Sequence, residues 1–391
     1  MEDKIKIGLF CDTFYPMMDG VVSVMDNYAR RLVKYADVTV FTIKGRTDYD
    51  DSQLPYKVVR CKALRLPKMD YDLGLPKMDC KFKKELKESN LDFVHIHSPF
   101  SVGKIGVKYA KKHNIPVIAT NHSQYKKDFY KSTKSKLLTN ILLKSVMKVF
   151  NSCDENWSVN SEVANVFYSY GAKVKPSVEN NATDMTFIEN STIKEEFFEK
   201  YGIEEDEKIL LFLGRIISLK NIFFLLDSLK ALKEKNFKFK MFYVGSGPDL
   251  DKLNEKIKEY GLENQVFTLG KIMDRVYLAE IYKLTDLFVF PSKYDCSSIV
   301  QIEAASQKTP TLFLAGSVTA CDITDNVNGY LSDEDTDKYS DKIIEVFSDM
   351  DKYNEVCENA YKDIYIHWDT KIDQIYKKYI EIINKKKEEN K

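Results

Sequence analysis

Two carboxylates eight residues apart, Asp295 and Glu303, bracket the start of an Ala-rich helical pattern that follows the apolar run Leu287–Phe290 and Pro291. Ser297 or Ser298 fits the N-cap of that helix, so its first free backbone N–H groups point into the loop and form an anion site. Carboxylates accept from hydroxyls and N–H groups donate to phosphate. The pattern therefore suits a ligand with hydroxyls at both ends and phosphate in the middle, as a sugar nucleotide has. A second cluster, Gly214-Arg215-Ile216-Ile217-Ser218-Leu219-Lys220, follows the apolar run Lys208–Phe212. Arg215 as a fork and Lys220 as a point charge are placed to neutralise a departing diphosphate, although two solvated surface cations would look the same.

Several glycines stand where strands are expected to end. Gly20 closes the loop Asp12–Asp19, Gly245 and Gly247 flank Ser246, and Gly270 precedes Lys271 and Ile272. Ligands of open α/β sheets sit at strand carboxyl ends, and glycine lets phosphate, sugar or a base edge approach the backbone. Each such glycine, taken singly, equally marks a turn. His122 follows another expected strand end toward the same crevice, where a satisfied structural histidine and a contact to a sugar hydroxyl are equally open. His95 and His97 share one face of a strand, but no third ligand has supporting spacing, so a polar cleft-edge role for one of them is expected rather than a metal pair.

Apolar and polar periodicities place these residues on a repeating β-α frame. Strands are expected at 4–11, 37–43, 56–61, 93–96, 116–121 and 155–159, and again at 208–212, 238–244, 266–269, 287–290 and 311–314, with helical patterns between. Two doubly wound parallel sheets covered on both faces follow. The chain is expected to cross between them within 175–187, giving domains at 1–180 and 181–366 and a last helix over 367–391. The run 385–391 is expected to be a frayed helix end, and the repeated Leu-Pro-Lys-Met-Asp at 66–70 and 75–79 a loop.

The 391 residues carry 59 basic and 59 acidic side chains, so no net field argues for nucleic acid. Seven scattered cysteines without a C-x-x-C spacing disfavour a disulfide framework or zinc site and point to a reducing cytoplasm. No signal-peptide pattern or membrane-length apolar run is present, so any membrane contact is expected to be peripheral, at the inner face. Lys126, Lys127, Lys131, Lys134, Lys136, Lys144 and Lys148 surround an apolar stripe from Leu137 to Phe150, opposed only by Asp128. One helix over 126–150 with a lysine flank fits an anionic membrane surface, and fits equally a core-facing helix with a solvated lysine face.

In order and spacing, Asp12–Gly20, His122, Gly214–Lys220, Gly245–Pro248 and Pro291–Glu303 resemble the GT-B glycosyltransferases of family 4, over nearly the whole chain. The resemblance implies two Rossmann-like domains facing across a cleft, the first for the acceptor and the second for the nucleotide-sugar donor, with the last helix crossing back to the first. It implies a retaining, metal-independent hexosyl transfer from a nucleotide diphosphate sugar, UDP-linked first and GDP-linked second, without a further cofactor, and the lysine-rich segment points to a lipid, lipid-linked or cell-surface glycan acceptor. Arg215 and Lys220 match the cations on the donor diphosphate. Glu303 matches the acid on the ribose, and Asp295 the acid near the sugar hydroxyls. His122 matches a histidine on the transferred sugar, and Gly20 the loop over the diphosphate. Backbone N–H groups of Ser297, Ser298, Ile299 and Val300 match those on sugar and phosphate, with Gly214, Gly245, Gly247, Lys271 and Ile272 also lining the donor. Where the family usually has E-G-F-G, this chain has Asp295-Cys296-Ser297-Ser298, a departure expected to bear on sugar choice. A nucleotide-sugar 2-epimerase and a non-catalytic nucleotide-sugar binding module share the scaffold. No oligomeric state is implied.

Overall fold

The computed structural model describes residues 4–17, 19–65, 72–293, 295–297 and 299–390. The chain forms two compact units, 1–180 with 368–391, and 181–367. Unit 1 contains β1 (Lys6–Phe10), β2 (Asp37–Ile43), β3 (Lys57–Cys61), a small hairpin of β4 (Ala63–Leu64) and β5 (Leu73–Gly74), β6 (Phe93–Ile96), β7 (Val117–Asn121), β8 (Glu155–Ser158) and β9 (Ser177–Val178). Its seven-stranded sheet runs β3-β2-β1-β6-β7-β8-β9, every pair parallel. Unit 2 contains β10 (Lys208–Leu213), β11 (Phe239–Val244), β12 (Val266–Gly270), β13 (Leu287–Phe290), β14 (Thr311–Leu314) and β15 (Tyr330–Ser332). Its sheet runs β12-β11-β10-β13-β14-β15, again all parallel.

Parallel strands covered on both faces read as unbroken apolar runs, and β11, β13 and β14 are buried at every position. Helices form where a polar cap precedes an apolar period. Asp19, Asp79, Asn160, Asp274, Asp335 and Asp349 each accept a backbone N–H at a helix start, worth about 1 kcal/mol apiece. The expected strands are all present. Short β9 and β15 went unread because two or three residues carry no periodicity.

The last helix, Trp368–Glu389, packs on unit 1. Tyr379 stacks on Phe93 with centroids 4.3 Å apart, Tyr376 stacks on Tyr35 at 4.7 Å, and Arg31 pairs with Asp369 at 2.7 Å. Aromatic pairs of this kind contribute about 0.5–1.5 kcal/mol beyond area burial. Buried Glu179 holds this helix through Lys371, at 2.8 Å, and Lys378. The charged tail is helical through Glu389, with Lys386 2.8 Å from Asp154, so the expected fraying at 385–391 gives way to a pinned end through 389.

The lysine-rich segment is also corrected. It forms two helices, Tyr125–Thr133 and Lys136–Phe150, because Lys134 adopts a left-handed conformation and Ser135 caps the second. The apolar stripe divides as well. Leu143, Val146, Met147 and Phe150 enter the core, whereas Leu137, Leu138, Ile141 and Leu142 are 71, 50, 54 and 39% exposed. The second repeat lies in a 3-10 turn, Pro76–Met78, leading into the helix Cys80–Glu88, while 66–70 fall outside the described residues.

Candidate active site

In unit 2 the chain lays down β10, moves outward through β11 and β12, and returns to the other side of β10 with β13. The strand order reverses between β10 and β13, and the crevice beyond their carboxyl ends is where open α/β sheets bind ligands. The loops leaving these two strands carry Arg215 and Lys220 on one side and Asp295 on the other.

The first loop is built on close backbone packing. A Cβ on Gly245 would lie 1.9 Å from the Gly214 carbonyl oxygen, and one on Gly247 would lie 2.2 Å from that of Ile216. Gly214 N–H donates to Val244, Gly245 N–H to Gly270, and Ile216 N–H to Ser246, so the three strand-end loops are laced together. The fold thus supplies its own reason for Gly245 and Gly247. Lys220 ends the 3-10 turn Ser218–Lys220, which Ser218 fixes by donating its N–H and hydroxyl to Asp249 at 2.6 and 2.7 Å. The Lys220 stem lies against Gly214, 3.3 Å from where a Cβ would be, and its ammonium sits 5.1 Å from the Phe290 ring centroid.

Lys220 Nζ donates to both oxygens of Asp295, at 2.8 and 2.9 Å, and the Ser292 hydroxyl donates to Asp295 at 2.6 Å. Both charged side chains are mostly covered, at 14 and 22% exposure. Arg215 is exposed and forms no ion pair with a described residue. Among the described residues, Lys220 at the switch point is thus paired and Arg215 has no ion-pair partner. Lys271 is exposed beyond β12. Ile272 packs its side chain on the core and lines a groove of about 700 Å³ along that edge.

The second loop leads to the helix Ile299–Ser306. Asn181 donates its side-chain N–H to the Ser297 hydroxyl at 3.0 Å, Ser298 lies outside the described residues, and half-buried Ile299 and Val300 open the helix. Glu303 is buried, 4% exposed. Its Oε1 is 2.8 Å from an Arg275 nitrogen and its Oε2 accepts from the Tyr282 hydroxyl at 3.2 Å. The same guanidinium nitrogen reaches Asp184 at 2.5 Å. Burial pushes the Glu303 carboxyl up from its ordinary range, while Arg275 and Tyr282 pull it back.

Asn181, Asp184, Arg275, Tyr282 and Ser292 were not singled out from the sequence. For Arg275 a signal existed: it directly follows the N-cap Asp274, and a cation in the first turn opposes the helix dipole unless carboxylates compensate it.

In unit 1 the reversal falls between β1 and β6. Asp12, after β1, accepts from the hydroxyls of Ser98 and Ser101 at 2.6 Å each and from the Val102 N–H at 2.8 Å, fixing the start of the helix Ser101–His113. Gly20 opens the helix Gly20–Leu32, with nothing within 4 Å of a would-be Cβ. His122 Nε2 is 3.1 Å from His97 Nδ1, and its surroundings push its pKa down to about 4 by desolvation. His95 is committed on both nitrogens, to Tyr379 and Thr120 at 2.6 and 2.7 Å. It is thus a core group. Among the described residues no group of three or more His, Cys, Asp or Glu is placed to hold a metal ion.

The family model for glycosyl transferases group 1 matches residues 193–363, and that for glycosyltransferase family 4 matches 18–187. An alpha-monoglucosyldiacylglycerol synthase of Streptococcus pneumoniae is 28% identical over 79% of this chain and 70% of its own length. The enzyme of that name from Acholeplasma laidlawii is 24% identical, covering 83% of this chain and 84% of its own length. Among solved structures, Anabaena HepE with UDP and glucose aligns with a TM-score of 0.74 at 16% identity, covering 96% of this chain and 99% of that one. Sucrose-phosphate synthase of Thermosynechococcus elongatus aligns with a TM-score of 0.75 at 18% identity, covering 97% and 100%. Two parallel Rossmann-like sheets, the strand-end cations and carboxylates, and two family models that between them span both units make this chain a GT-B glycosyltransferase of family 4.

Proposed function

We propose that this enzyme moves a hexosyl group from a nucleoside diphosphate sugar to a lipid with retention, glucose from a UDP-sugar to diacylglycerol being the first pairing to test. The observation that carries the lipid reading is the exposed face of Leu137, Leu138, Ile141 and Leu142 beside Lys134, Lys136 and Lys144. Aliphatic side chains flanked by lysines favour the interface of an anionic membrane, where diacylglycerol resides. No described helix is long and apolar enough to cross a membrane, so contact through this face would be peripheral. The names of the two relatives support the same acceptor and sugar, and the UDP bound in the Anabaena enzyme supports the nucleotide.

In this reading Arg215 and Lys220 neutralise the charge that develops on the departing diphosphate, without a metal ion. The donor's bond from the anomeric carbon to phosphate oxygen breaks, and the acceptor hydroxyl bonds to that carbon on the same face. The hydroxyl proton passes to the leaving phosphate. An α-linked donor then yields an α-glycolipid. Asp295 orients sugar hydroxyls, and Glu303 holds the ribose. Gly214, Lys271, the Ile272 backbone and the N–H groups of Ser297, Ile299 and Val300 complete the donor contacts.

The test is transfer of labelled sugar from UDP- or GDP-linked donors into phosphatidylglycerol vesicles containing diacylglycerol. Label in the lipid phase, lost at least about tenfold in Arg215→Ala, supports the reading. Label found only as free or isomerised sugar contradicts it. Leu138→Glu with Ile141→Glu is expected to abolish vesicle binding at unchanged melting temperature. Undiminished binding would remove the membrane face from the account.

A further inference from the structure

Glu303 is served by two donors from one helix. Arg275 and Tyr282 lie seven residues apart in the helix Arg275–Leu284, two turns and hence on one face, and each meets a different Glu303 oxygen. Asp274 fixes the helix start by accepting from the N–H groups of Val276 and Tyr277 at 2.9 and 3.1 Å. Asp184, which shares the Arg275 nitrogen, sits three residues after Asn181, the partner of Ser297. A carboxylate has about four lone-pair positions, and Arg275 and Tyr282 take one on each oxygen. One position per oxygen remains, and two such positions match the adjacent hydroxyls of a ribose.

We propose that Arg275, steadied by Asp184, is a positioning residue that keeps Glu303 aimed at both ribose hydroxyls, and so makes the enzyme select ribonucleotide over 2′-deoxyribonucleotide donors. This rests on the donor site proposed above. Without the Arg275 nitrogen at 2.8 Å, Glu303 Oε1 would lose the contact that fixes its direction. A half-exposed guanidinium without Asp184 would spend part of its time in solvent.

Calorimetric titration of the full chain with UDP and 2′-deoxy-UDP, and with GDP and 2′-deoxy-GDP, tests it. The wild type is expected to bind the ribonucleotide about tenfold more tightly than its deoxy form. Arg275→Gln is expected to lose most of that ratio, mainly through weaker ribonucleotide binding. Arg275→Lys should restore part of it and Asp184→Asn should fall between. Equal binding of both forms by the wild type overturns the inference. So does an undiminished ratio in Arg275→Gln, or an equal loss for both forms there and in Arg275→Lys, which would mark Arg275 as structural. A wild type that binds none of the four nucleotides would instead overturn the donor site itself.

Discussion

The pairing of Lys220 with Asp295 sets up a competition that a conservative change should expose. A donor diphosphate that recruits Lys220 must share it with a carboxylate already bonded through both oxygens, at 2.8 and 2.9 Å. Asp295→Asn keeps the shape and the Ser292 contact but removes the competing charge. Fully exposed pairs are worth about 0.2–1 kcal/mol, and this mostly covered one should exceed that range. Taking about 1–1.5 kcal/mol, the variant should bind UDP roughly five to tenfold more tightly. Transfer should move the opposite way, falling at least about tenfold in kcat, because an amide cannot accept from sugar hydroxyls on both atoms. Calorimetry with UDP and steady-state kinetics with the donor measure the two effects separately. UDP binding that weakens together with transfer, or neither quantity changing, would refute the competition.

Other consequences concern the frame. Gly247→Ala places a methyl 2.2 Å from the Ile216 carbonyl oxygen, a backbone atom that cannot turn aside, and should cost about 1–3 kcal/mol in urea unfolding. A neutral result would mean the strand-end loops are not locked. Glu179→Gln leaves Lys371 buried without its carboxylate and should cost about 3–5 kcal/mol, read as a lower melting temperature. His122 is held near 4 against an ordinary 6.5, and His95 and His97 are pushed down by burial too. Between those values the unfolded chain binds protons that the folded one refuses, so stability should fall as pH drops from about 6.5 to 4. His122 alone accounts for about 3 kcal/mol of that fall. His122→Asn should flatten the decline, and an unchanged slope would show that this histidine does not contribute.

The frame was legible because buried parallel strands write themselves as apolar runs: Asp37–Ile43, Phe93–Ile96, Leu287–Phe290 and Thr311–Leu314 coincide with their expected spans. Glu303 and Asp295 stood out through their spacing about a helix start. What the spacing does not encode is partnership. Lys220 and Asp295 lie 75 residues apart and meet because β13 returns beside β10, a fact of sheet order. Arg275 and Asp184 likewise meet across 91 residues. The lysine-rich segment reads as one stripe and folds as two, because periodicity does not tell which apolar face finds a core. Leu143 and Ile141 look alike in sequence and differ only in what lies beneath them.

The most direct measurement is the anomeric configuration of the lipid product formed from UDP-glucose in vesicles containing diacylglycerol, read by proton NMR. The account predicts an α-glucosyl lipid, absent when Arg215 is replaced by Ala. A β-linked product, or glucose released without any lipid product, would contradict it.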